Sequence, residues 1–107
     1  MIDFHLAFPE HAEPTIGARF SATGVSDHVL GLTVPAFHEA ERLWALLRSH
    51  GIDVDFLRDF PIPLRLIPEC LELVDQHLGT RRPVWASLQR VLMLAIDRDM
   101  AIVIITD

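Results

Sequence analysis

Residues able to do chemistry are thinly spread along this chain. There are six histidines: His5, His11, His28, His38, His50 and His77. No two of them stand four positions apart, the spacing that places two imidazoles on one helical face, and none stands in a zinc spacing with the single cysteine, Cys70. A metal site would have to be assembled by the fold, for instance from His5 and Asp3 with Asp53 or Asp55 on neighbouring strands. The plainer expectation is that these residues line solvated strand faces, with no metal and no cofactor. Cys70 and His77 pair a thiol with a base. On one helix, seven residues separate them by about 10 Å along the axis, too far for the direct hydrogen bond a nucleophile needs. Cys70 therefore reads as a small core residue. The serines, Ser21, Ser26, Ser49 and Ser87, stand in no Gly-x-Ser-x-Gly elbow. The five glycines never cluster, which excludes a dinucleotide fingerprint and a phosphate-cradling loop. The chain has no Lys and no Tyr, so Schiff-base and phenol chemistry are excluded as well. No catalytic residue is expected, and the chain is not read as an enzyme.

Charge is more informative. Nine basic residues, all Arg, face 15 acidic ones, for a net charge of −6. That balance argues against nucleic acid and anionic membranes, which need a basic face, and permits a basic protein partner. The acidic residues are unevenly placed. Glu10 and Glu13 lie in the first loop, and Asp53, Asp55 and Asp59 fall within seven residues. If the first loop and the end of the fourth strand share an edge, these five form a negative rim, and they are the candidate partner-binding residues. Arg81-Arg82 is too short a basic run to bind a polyanion.

The elements that position these residues follow from hydrophobic period. Ile2, Phe4, Leu6 and Phe8 alternate with Asp3, His5 and Ala7, which predicts a strand over 2–8. A proline-bounded loop follows, then alternating strands over 16–22 and 28–34. Pro35 suits the start of a helix, and Ala36, Ala40, Leu43 and Leu47 carry its stripe to His50 and Gly51. Ile52, Val54 and Phe56 predict a fourth strand over 52–56. Phe60 to Leu66 carries two prolines, so it is an edge segment or a covering loop. A short helix runs from Pro68 to Gly79. Residues 83–97 read as a helix on propensity and length, with a hairpin through Asp97-Arg98-Asp99-Met100 as the alternative. The run 101–105 is β-branched throughout and reads as a central strand buried on both faces. The order βββαβ–αα–β predicts a single α/β domain over 1–107 (α+β as the variant), in two or three layers on a mixed sheet.

At 107 residues the chain can bury a core without a disulfide, and a lone cysteine cannot form an internal one. The first residues have no positive and no apolar stretch, and no apolar run approaches a membrane span. A reduced, cytoplasmic location is expected. The mean hydropathy of +0.31 is high for a small monomer, so a partner or another copy is expected to cover some apolar surface.

In length, acidity, α/β pattern and a strand at 2–8, the chain resembles the immunity proteins of bacterial toxin–immunity pairs, such as those of contact-dependent growth inhibition. The resemblance is one of whole-chain character and transfers no residue role. It implies a protein that neutralises a basic toxin domain, often a nuclease, by covering its active site. A small enzyme or metal- or ligand-binding domain using strand His and Asp residues is the alternative, and a homo-oligomeric subunit is the third reading.

Overall fold

The computed structural model describes residues 2–12 and 25–106. Those residues form a small α/β domain. In chain order it contains β1 (Ile2–Ala7), β2 (Val25–Leu32), α1 (Val34–Glu39), α2 (Glu41–Ser49), β3 (Phe60–Ile62), α3 (Ile67–His77), α4 (Pro83–Asp97) and β4 (Ala101–Thr106), with short 3-10 turns at Pro9–His11, Leu64–Leu66 and Leu78–Thr80. The strand order is β2-β1-β4-β3. All three pairings are antiparallel, so the sheet is not mixed as the sequence order implied. The expected strand at 16–22 lies outside the described residues.

One sheet face carries Ile2, Phe4, Leu6, Ile62, Ile102 and Ile104 into the main core under the helices. The other carries Ala7, Ala101 and Val103, which form a second, smaller cluster with Ala12. β4 lies between β1 and β3 and is buried on both faces, as its unbroken β-branched run requires. β3 is an edge strand, where Pro61 is tolerated because one side needs no ladder donor.

Three further expectations are corrected. The single helix from Pro35 to His50 is broken at Ala40 (φ −94°, ψ 22°). The buried Trp44 indole donates to the Phe37 carbonyl at 2.6 Å, and the Ala40 N–H also turns back to that carbonyl. Side-chain insertion into the ladder is a standard cause of such breaks. Residues 52–56 are not a strand. Gly51, at φ +86°, closes α2 in a Schellman turn, with Gly51 N–H donating to Arg48 O and Ile52 N–H to Leu47 O. The Arg48 guanidinium then takes the Val54 carbonyl through Nε (3.3 Å) and Nη2 (3.1 Å). The backbone groups a ladder would use are satisfied locally, while Ile52 and Val54 still reach the core. With 52–56 outside the sheet, the strand following the helical pair is β3, which pairs antiparallel at the edge. Finally, the short helix does not run to Gly79: α3 ends at His77, Gly79 lies in the 3-10 turn Leu78–Thr80, and the left-handed conformation falls on Arg81, at φ 63°.

Residues 83–97 are helical, and the hairpin alternative is not adopted. α4 ends in a second Schellman turn, with Asp99 N–H donating to Ile96 O, Met100 N–H to Ala95 O, and Asp99 in the left-handed region at φ 54°. The turn feeds the chain directly into β4.

Candidate protein-binding surface

The loop 53–59 joins the end of α2 to β3 and carries three of the five acidic candidates. Each carboxylate has a distinct partner. Asp53 pairs with Arg58 at 2.7 Å, both side chains exposed. Asp55 Oδ1 accepts from the Leu57 backbone N–H at 3.0 Å, an Asx turn that fixes the loop tip. Asp59 Oδ1 accepts from the Thr106 N–H at 2.9 Å, tying the loop to the end of β4. With Arg48 holding Val54, the loop is anchored at both ends. At its tip Leu57 is 73% exposed, the most exposed large apolar side chain among the described residues. The loop thus presents one exposed apolar side chain between Asp55 and Asp59, beside Arg58, with its backbone bonded at Val54 and Leu57 and its last carboxylate tied to β4.

Of the other two candidates, Glu10 does not join it. Glu10 is exposed in the 3-10 turn after β1, beside Phe8, which is 55% exposed. Ala7 pairs with Ala101 at the start of β4, whereas Asp59 binds Thr106, which pairs with Ile2 at the other end of β1. The two acidic groups are therefore separated by the length of β1, about 17 Å for six residues. Glu13 lies outside the described residues. Glu10 and the loop carboxylates do not share one rim, because 52–56 leaves the sheet and the loop attaches at the opposite end.

Asp3, His5 and His28 gather elsewhere, on the sheet face away from the helices. His28 stands directly across from His5, their rings edge-to-face at 5.2 Å, and Asp3 Oδ1 accepts from His28 Nε2 at 2.9 Å. His5 Nδ1 is buried without a hydrogen-bond partner. Asp53 and Asp55 play no part in this cluster, since β1 is flanked by β2 and β4. His28 was missed as the third member because its register depends on β-bulges that shift the β1–β2 pairing on either side of His5. The arrangement can orient an imidazole as a weak base. Among the described residues no group of three or more His, Cys, Asp or Glu is placed to hold a metal ion.

Cys70 is fully buried, and burial, reinforced by the Glu69 charge, pushes its thiol up to about 12. His77 stacks on Trp85 at 4.6 Å instead of serving the thiol. The one sequence signal for Leu57 is that it breaks the alternation of 52–56 by following Phe56 directly, just before Arg58 and Asp59.

No helix among the described residues is long and apolar enough to cross a membrane. Comparison with protein-family models, curated proteins and solved structures found no match to this chain.

Proposed function

We propose that this protein is a binding protein of the immunity type, which neutralises a basic toxin domain in the cytoplasm by covering its active site. It docks through the loop 53–59 and performs no catalysis of its own. The observation that carries this reading is the exposed Leu57 held among Asp53, Asp55 and Asp59 by bonds that leave the loop little freedom. A pre-organised loop loses little entropy on docking. An apolar anchor entering a partner pocket sets the residence time, while the surrounding carboxylates raise the encounter rate with a basic surface. The net charge of −6 extends that field over the whole molecule and disfavours nucleic acid as a direct ligand.

The test is affinity capture from the native host with the wild-type chain and the Leu57→Asp variant as parallel baits. The reading predicts one basic protein, held in fixed stoichiometry by the wild type and lost by the variant. No such protein, or equal retention by both baits, contradicts it. The alternative, a small ligand-binding or acid–base site, is favoured by the Asp3–His28 pair and the unpartnered His5 nitrogen. It predicts a small molecule that co-purifies and is released by His28→Ala.

A further inference from the structure

α4 presents two faces. Val84, Trp85, Leu88, Val91, Leu92 and Ala95 are buried in the core. Ala86, Arg90, Met93 and Asp97, spaced by four, three and four, form an exposed stripe on the opposite side, with Met93 54% exposed. Beside the stripe runs an open groove of about 320 Å³ between α4 and β2, lined by Val29, Leu30, Ser87, Arg90, Val91 and Leu94. The bulge that lets Val29 escape pairing with β1 places it beside Leu30 on the groove wall.

Arg98 at the C-cap of α4 suits its dipole and pairs with Asp27 at 3.4 Å, but the other end charges run against it. Arg81 and Arg82 precede its N-terminus, and its last turn holds Asp97 and no basic residue. A carboxylate at a helix C-terminus is unfavourable unless a cation lies nearby. Among the described residues the Asp97 carboxylate has no hydrogen-bond or ion-pair partner. Arg90 has only a long contact with the Ser87 hydroxyl, at 3.4 Å. Arg90 and Asp97, seven residues apart on the same helix, form no ion pair with one another.

A second copy resolves both. The geometry points to a two-fold symmetric dimer in which α4 packs antiparallel on α4 of a second copy, with the axis between Met93 and Leu94. Residue numbers facing one another across that axis sum to a constant, as an isologous interface requires. Arg90 then faces Asp97 of the second copy, and the same pair recurs by symmetry. Met93 faces Leu94 of the second copy, so the exposed thioether of each molecule seats on the groove wall of the other. Antiparallel helices also place opposite dipole ends together. The overlap is two helical turns, which makes the dimer weak and concentration-dependent. This face lies on the β2 side of the sheet and the loop 53–59 on the β3 side, so dimer and partner binding are independent.

Sedimentation equilibrium over a concentration range of about 5 to 500 µM tests it, since dimerisation follows mass action. The average mass should rise from 12.1 kDa towards twice that value. Arg90→Asp and Asp97→Arg should each weaken the dimer about tenfold or more, because each places like charges across the axis. The double variant Arg90→Asp/Asp97→Arg restores complementarity and should recover the wild-type mass curve, while Leu57→Asp leaves it unchanged. All substituted positions are exposed, and circular dichroism confirms that each variant folds. A mass fixed at the monomer value, association indifferent to the single variants, or a double variant no better than either single one overturns the proposal.

Discussion

Cys70 and Leu57 are both apolar in character, and burial alone separates their roles. Cys70 is fully buried, and its thiol is held far above the ordinary value of 9.0, at about 12. Burial is the main cause, and the neighbouring Glu69 charge adds to it. At neutral pH the group is a neutral thiol and a poor nucleophile. A folded-state value above the unfolded one means the thiol favours the native state fully below pH 9.0, and that contribution is lost as pH rises towards about 12. Labelling with a chromogenic disulfide should therefore be slow in the native protein at pH 8 and fast once urea unfolds it. Rapid native labelling would show that the side chain is accessible. Leu57 has the opposite setting. Its apolar area stays in water because Arg48, at Val54, and Thr106, at Asp59, hold the loop on either side, so it contributes little to stability.

The α1–α2 pair shows how elements are set by single contacts that period does not encode. The apolar stripe from Ala36 to Leu47 is continuous, yet the Trp44 indole divides it by claiming the Phe37 carbonyl. The break lets Phe37 stack on Trp44 at 4.6 Å, with Phe60 edge-on to both rings, joining the helices to β3. Trp44→Phe removes the donor and part of the ring, and should cost about 2 to 4 kcal/mol from the lost buried bond and the cavity together, read by urea denaturation. A variant of unchanged stability would mean the indole is not what holds the break. The same distinction explains what was legible in the sequence. β1, α3, α4 and β4 follow from alternation, helical spacing or an unbroken β-branched run, all local properties. The 52–56 segment alternates just as well, but its ladder groups are consumed by the Gly51 turn and the Arg48 guanidinium, six residues before Val54. Of the candidate site, the clustering of Asp53, Asp55 and Asp59 was legible because it is local in sequence. Their separation from Glu10 was not, because it depends on which end of β1 each loop meets.

At the scale of the whole molecule, the chain is an acidic α/β domain whose sheet separates two prospective contact regions. The groove and the stripe of α4 lie towards β2, and the loop 53–59 lies beside β3. In the proposed docking, net charge would act on a partner at long range, screened by salt over about 10 Å at 0.1 M, and the Leu57 contact only after docking. That proposal assigns encounter and residence to different side chains. The most direct test is the association rate with the captured partner as a function of ionic strength, for the wild type and for Asp53→Asn/Asp55→Asn. Asparagine keeps the acceptor that Asp55 offers the Leu57 N–H, so the loop retains its shape while losing two charges. The wild-type rate should fall steeply with salt. The double variant should associate more slowly at low salt, with a flatter salt dependence and a nearly unchanged dissociation rate. Identical association rates and salt slopes for the two proteins would contradict docking through this loop.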